Sequence, residues 1–271
     1  MLSTLPILIA LSGAASNEVQ PAAAITPAPT VAPAAAVDAR SSQRVEPALV
    51  RTDDKLELRG DFFPPRKASG RVPAVLLLHD AGSDRASVAK LAESLARANY
   101  GVLALDLRGH GESATDDVNW SATPDEERNS IWTFALRDVK AGAHWLSEQD
   151  ELHSTNLTVI GVGASGALAV HHAIDDSNVR AVGLIGFEQE CFGFDLGEDL
   201  LDLEGLPVSI TTAKDERTDA KALVEDLEAE EWIELNTTRA TREKLIGDKR
   251  AVRDLVDWVD EHTQPRRGAR G

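Results

Sequence analysis

The chain has 271 residues and a net charge of −17, from 45 acidic and 28 basic side chains. Such a surface repels nucleic acid and anionic lipid, so we expect neither as a partner. Cys191 is the only cysteine, which excludes an internal disulfide. The length is sufficient for one domain with a substantial core.

The first 47 residues differ in composition from the rest. A short apolar run at residues 2–11, followed by small residues up to Ser16, predicts a signal peptide over residues 1–16 and therefore export to the periplasm or the medium. An uncleaved N-terminal membrane anchor is the alternative, although the run is short for a transmembrane helix. Residues 17–47 are rich in Ala and Pro and predict a disordered linker, with no membrane association once the signal is cleaved.

Between residues 48 and 262, apolar runs alternate with segments of helical spacing. The predicted strands cover residues 50–63 (as two short strands), 72–79, 101–105, 157–162, 179–187, 206–212 and 231–235. The predicted helices cover residues 87–99, 131–146, 218–228 and 250–261, besides the helix that follows residue 162. This alternation predicts an α/β domain over residues 48–262, with a doubly wound, mostly parallel sheet and helices on both faces. The basic residues 263–271 are expected to form a disordered tail.

Small residues follow the strand at 157–162 and predict a nucleophile elbow, the sharp strand-to-helix turn whose apex carries the nucleophile of many hydrolases. Two registers fit the pattern G-x-S-x-G. In one the apex is Gly163, which has no side chain, and in the other it is Ser165. With Ser165 at the apex, Leu168 takes a position that usually holds a small residue, so the first register fits better. It predicts a positive φ at Gly163 and places Ser165 in the first turn of the helix.

Three further stretches accompany the elbow: LHDAGS at residues 78–83, LDLRGHGES at 105–113, and the strand with its following turn at 207–216. Together they resemble α/β-hydrolases of the compact kind related to dienelactone hydrolases and serine aminopeptidase-like esterases. The first stretch is similar to the family's HG-x-G turn and the second to its D-x-R-G-x-G-x-S motif. The resemblance implies a fold without a large cap domain, a Ser–Asp–His triad and an oxyanion hole.

The triad and the oxyanion hole implied by this resemblance can be compared with the residues present. The acid matches Asp215, and the oxyanion donors match the backbone N–H groups at Asp80–Ala81 and at Ala164. The family's histidine follows the last strand, but residues 235–244 contain none. His262, the only histidine beyond the elbow helix, falls at the far end of the closing helix. With Gly163 at the nucleophile position, these differences predict a hydrolase fold that has lost its triad.

Two functions compete at this point. One is an exported, non-catalytic protein that uses the fold to bind a small-molecule ligand or a protein partner, or simply as a structural domain. The other is an active serine ester or amide hydrolase with Ser165 as nucleophile, Asp215 as acid and a relocated base such as His110. Hydrogen-bond reach between a histidine nitrogen and Ser165 Oγ distinguishes them. The sequence implies no cofactor, and no Cys/His cluster has the spacing of a zinc site.

Overall fold

The computed structural model describes residues 43–67, 70–186 and 188–263. The predicted signal peptide, most of the predicted linker and residues 264–271 lie outside this part of the chain. The first strand begins at Glu46, and Pro47 is paired with Asp61, so regular structure starts two residues before the predicted boundary. Over the described residues, no helix combines the length and the apolar character needed to cross a bilayer.

Ten strands and eight α-helices make up the described part of the chain. The strands are β1 (Glu46–Arg51), β2 (Glu57–Phe63), β3 (Val72–Leu78), β4 (Gly101–Leu105), β5 (Leu152–Val162), β6 (Val179–Ile185), β7 (Glu190–Cys191), β8 (Phe194–Asp195), β9 (Val208–Thr212) and β10 (Ile233–Thr237). The helices are α1 (Arg85–Arg97), α2 (Arg128–Phe134), α3 (Leu136–Ser147), α4 (Ser165–Asp175), α5 (Leu196–Leu201), α6 (Arg217–Asp226), α7 (Arg242–Leu245) and α8 (Lys249–Thr263).

Eight of the strands form one sheet in the order β1-β2-β4-β3-β5-β6-β9-β10. Strand β2 runs antiparallel to both of its neighbours, and every other pair is parallel. Helices cover both faces, so the predicted doubly wound, mostly parallel sheet is confirmed. The long connections after β4 and β6 leave from the carboxyl edge, where such folds build their sites. The second of these holds the β7–β8 hairpin and α5, and the described residues contain no larger cap.

The central strand β3 explains why the sequence shows continuous apolar runs rather than alternation. All seven of its residues are buried. Leu76 and Leu78 belong to the core layer that includes α3 and α4, whereas Val75 and Leu77 belong to the layer that includes α1 and α8. A strand covered on both faces needs apolar side chains at every position.

The predicted single helix at residues 131–146 is wrong, because the structure divides this segment at Ala135 into α2 and α3. Trp132 on α2 and Asp138 on α3 are both fully buried. Asp138 accepts hydrogen bonds from Arg108 N at 2.7 Å and from Arg108 Nε at 2.9 Å. The break therefore lets each of the two helices direct a side chain into the interior.

The end of α8 is tied to distant parts of the sheet. The Tyr100 hydroxyl lies 3.1 Å from Thr263 Oγ1, and Asn156 Nδ2 donates to the Thr263 carbonyl oxygen at 2.8 Å. Thr263, one residue beyond the predicted domain boundary, is buried. The closing helix thus joins the start of β4 to the start of β5.

Candidate active site at the carboxyl edge

Gly163 forms the apex of the turn between β5 and α4. Its φ is +57°, which a glycine adopts without steric cost, and its N–H donates to the Ile185 carbonyl oxygen at 2.8 Å. A Cβ at Gly161 would overlap the backbone of Ser165, so the small residue before the apex is needed for the close crossing of strand and helix. This geometry corresponds to the register with Gly163 at the apex.

Ser165 is the first residue of α4 and is fully buried. Its Oγ accepts a hydrogen bond from Val162 N at 2.8 Å and lies 3.0 Å and 3.2 Å from the carbonyl oxygens of Val162 and Leu78, to which it donates. Among the described residues, no histidine hydrogen-bonds to this hydroxyl. The Ser165 side chain therefore acts as a local cap of the turn and does not face solvent.

The carboxylate of Asp80 occupies the space directly over the apex. A Cβ built on Gly163 would overlap this carboxylate. Asp80 Oδ1 accepts hydrogen bonds from Ala81 N at 2.8 Å and from Ala164 N at 2.9 Å. These are the two amides that the resemblance assigns to the oxyanion hole, and here they converge on a single oxygen of the protein itself. Bonds to an ionised acceptor are stronger than neutral ones, so the carboxylate is a competent occupant.

Two acidic residues follow β9, Asp215 at the predicted acid position and Glu216 next to it. Asp215 is exposed, and within the described residues it has neither a hydrogen bond nor an ion pair. The neighbouring Glu216 turns inward, where its Oε2 accepts from Ala213 N at 3.0 Å and its Oε1 accepts from Arg242 Nη1 at 2.9 Å. The inward-facing carboxylate after β9 therefore belongs to Glu216.

Arg242 takes the place where the resemblance requires a histidine, after the last strand and at the start of α7. It pairs with Glu216 and also with Glu188. A Cβ built on Gly186 would lie 3.8 Å from Gly163 Cα and 3.9 Å from Arg242 Cζ, so the apex and the guanidinium both lie close to Gly186. A guanidinium has no acceptor site and stays protonated, so it cannot serve as a general base.

His110 lies at the same edge but is fully engaged with the backbone. Its Nε2 accepts from Gly82 N at 3.1 Å, and its Nδ1 lies 2.9 Å from the Arg108 carbonyl oxygen. Burial, aided by the neighbouring His79, lowers the pKa of His110 to about 4. The structure therefore does not bring His110 to Ser165, and the ring instead joins the loops that follow β3 and β4.

The family model described as the alpha/beta hydrolase family matches residues 75–269. The chain belongs to the alpha/beta hydrolase family. An uncharacterized protein of Mycobacterium tuberculosis strain H37Rv is 30% identical over 126 residues, which is 46% of this chain and 40% of that protein. The matched region thus spans less than half of that relative's length.

Solved structures show the same fold at low identity. An esterase from Pyrococcus furiosus is 16% identical with a TM-score of 0.62, over 82% of this chain and 92% of that one. A dienelactone hydrolase from Anabaena variabilis is 19% identical with a TM-score of 0.57, over 81% and 96% of the two chains. At these identities the likeness concerns the fold alone.

The side chains around the apex also change the pKa of a nearby thiol, that of Cys191. Cys191 Sγ donates to the Ala164 carbonyl oxygen at 3.7 Å. Burial, together with the charges of Glu188 and Asp80, raises the pKa of Cys191 to about 12. Burial also raises the pKa of Glu188, with Arg242 opposing this effect and Asp80 and Glu216 adding to it. Because the thiolate is the reactive form, this raised pKa favours the neutral, less reactive thiol of Cys191 at neutral pH.

Sequence reasoning missed the side chains that fill this alpha/beta hydrolase site, namely the carboxylates of Asp80, Glu188 and Glu216 and the guanidinium of Arg242. One sequence feature could have revealed the first of them. The family's HG-x-G turn has glycine where this chain has Asp80, so a side chain was to be expected close to the oxyanion amides. In the part of the chain that the structure describes, no group of three or more His, Cys, Asp or Glu residues could hold a metal ion.

Proposed function

We propose that this alpha/beta hydrolase-family protein has lost serine-hydrolase activity and uses the fold as a binding or scaffold domain. The observation that carries the proposal is the position of Asp80, whose carboxylate takes both oxyanion amides and lies over a glycine apex. A hydrolase needs those amides free for the oxyanion that develops in its transition state.

The nucleophile and the base that a serine hydrolase also needs support the same proposal. Gly163 offers no hydroxyl at the apex, and the hydroxyl of Ser165 is buried and committed to backbone partners. Arg242 stands where a base would be needed. Loss of a nucleophile or a base alone costs nearly as much activity as loss of the whole triad, so these changes together leave no route to an acyl-enzyme.

Export is part of this proposal, and it is supported by the apolar run at residues 2–11 and the small residues that follow it. The partner is then an extracytoplasmic small molecule or protein. Cell fractionation followed by amino-terminal sequencing tests this part. Recovery outside the cytoplasm with a mature terminus near residue 17 supports it, and recovery in the cytoplasmic fraction with an intact first residue contradicts it.

A fluorophosphonate probe tests the loss of activity. We expect no covalent labelling of the mature protein under conditions that label an active serine esterase fully. The matched variant Asp80→Ala, which frees both amides, is expected to remain unlabelled because a nucleophile and a base are still missing. A labelled peptide that mass spectrometry assigns to Ser165 would overturn the proposal and establish an active ester or amide hydrolase.

A further inference from the structure

A separate cavity of about 510 Å³ lies at the other end of the sheet, between α3 and α4. Ala74 of β3 and Leu157 of β5, which are register partners in the sheet, line its floor, and Ala143 and Leu146 of α3 add apolar walls. The volume is in the range of small-molecule sites, which are mostly apolar with a few polar groups. This cavity shares no lining residue with the turn at Gly163.

Basic side chains are concentrated at this cavity although the protein carries a net charge of −17. Its lining includes three aspartates, Asp53, Asp175 and Asp176. It also includes six basic side chains, among them four of the seven histidines: His144, His153, His171, His172, Arg137 and Lys140. Most of them already have a carboxylate nearby. Arg137 pairs with Asp53 at 3.1 Å, His171 lies 2.9 Å from Asp199, and His144 lies 3.5 Å from Glu148.

Two of the lining groups lack a full set of partners. Within the described residues, Lys140 on α3 has no ion pair. His172 on α4 is 7% exposed, and its Nε2 is buried without a hydrogen bond from the described residues, the nearest carboxylate oxygen being Asp176 Oδ2 at 3.4 Å. A buried polar atom without a partner costs about 1–3 kcal/mol, so such an atom on a cavity wall indicates a missing partner.

The charge of Lys140 reaches His172 across the cleft. Burial lowers the pKa of His172, and the ammonium of Lys140 lowers it further, against the opposite effect of Asp176 and Asp175. The imidazole is therefore neutral at neutral pH and has one N–H to donate. An ammonium and an imidazole N–H that share one cleft are suited to the two oxygens of a carboxylate.

We propose that the cleft between α3 and α4 binds a small organic carboxylate, with its apolar body on Ala143, Leu146 and Leu157 and its head group between Lys140 and His172. A cationic ligand is disfavoured because its charge would face the unpaired Lys140. An uncharged ligand would gain no ionic contact from Lys140, whose exposed ammonium would stay in water. The proposed site is independent of the lost hydrolase site, so either proposal can fail without the other.

Calorimetric titration of the whole protein with 4-phenylbutanoate tests the proposal, with 4-phenylbutanol as the uncharged counterpart. We expect saturable binding of the carboxylate and at least about tenfold weaker binding of the alcohol, which corresponds to about 1.4 kcal/mol. Lys140→Gln should weaken carboxylate binding by a similar factor and leave alcohol binding unchanged. Lys249→Gln, which removes an exposed lysine at the start of α8, is the matched control and should change neither.

The location of binding is checked by amide chemical shifts in ¹⁵N-labelled protein. Shifts clustered on residues of α3 and α4 support the proposal. It is overturned by absence of saturable binding at millimolar concentrations, by equal affinity for acid and alcohol, by an unchanged affinity in Lys140→Gln, or by shifts confined to the turn at Gly163.

Discussion

The carboxylate of Asp80 fills the volume that a side chain at position 163 would need, so a Cβ there would displace this carboxylate from the amides of Ala81 and Ala164. The position of the Asp80 carboxylate therefore depends on glycine at the apex. A serine at position 163 would force its own side chain or that of Asp80 to move. The coupling free energy between the two positions can be measured in a double-mutant cycle.

We expect Gly163→Ala to destabilise the protein by more than the strain of a positive φ alone, which is on the order of 1–3 kcal/mol. Gly205→Ala is the matched control, because Gly205 has a φ of +84° and a Cβ added there would meet no other atom within 4 Å. Urea unfolding should show a larger loss for Gly163→Ala than for Gly205→Ala. In the double variant Gly163→Ala/Asp80→Ala, the loss should be smaller than the sum of the single losses, and strict additivity would contradict the steric coupling.

Asp80→Ala alone removes the acceptor of two backbone amides and should lower the free energy of unfolding by about 1–3 kcal/mol. Small carboxylates can enter the vacated space, so formate or acetate should raise the melting temperature of this variant more than that of the wild type. The control is Asp84→Ala, which removes a different carboxylate, the half-buried cap of α1 that accepts from Ala86 N at 3.0 Å. Equal effects of formate on both variants would show that the amides of Ala81 and Ala164 do not form an anion site.

Acidification should destabilise the protein through His110. Its pKa is about 4 in the folded protein against 6.5 as the ordinary value, so the unfolded chain binds the proton first. The stabilisation is complete well above pH 6.5 and is lost as the pH falls towards 4, by about 1.6 kcal/mol between pH 6.5 and 5. His110→Gln should flatten this part of the profile in urea unfolding relative to the wild type. An unchanged slope in His110→Gln would assign the acid sensitivity to other groups.

Cys191 should react slowly with iodoacetamide at pH 8, because burial and the charges of Glu188 and Asp80 raise its pKa to about 12. Mass spectrometry of the intact protein follows the alkylation, and the rate in denaturant serves as the reference. Glu188→Gln removes one of the charges that oppose the thiolate and should speed the reaction. A folded protein that reacts as fast as the unfolded chain would show that the thiol is accessible and activated.

The order and type of most elements could be predicted from the sequence, because buried parallel strands leave continuous apolar runs such as 75–78 and 101–105. The apex register was also predictable, since only small residues fit the crossing at Gly161 and Gly163. The break at Ala135 was not, because the apolar spacing of α2 and α3 is continuous across it.

The site was predictable only as far as it rests on the backbone. The missing histidine is visible in residues 235–244, but its replacement by Arg242 in a pair with Glu216 depends on side-chain directions that no local pattern encodes. The same holds for Asp80, where the sequence identifies the turn but not which way the carboxylate points. The cleft between α3 and α4 depends on how two helices diverge over the sheet, and therefore on packing between segments distant in the chain.

The bonds of Thr263 have a consequence for the timing of folding during synthesis. Its partner Tyr100 is 163 positions earlier in the chain, and its other partner, Asn156, is 107 positions earlier. Contacts between such distant residues form late and slow the search for the native state. While the ribosome is still completing α8, the edge of α1 and the starts of β4 and β5 lack their final cover. The domain therefore cannot complete these contacts before α8 has left the ribosome.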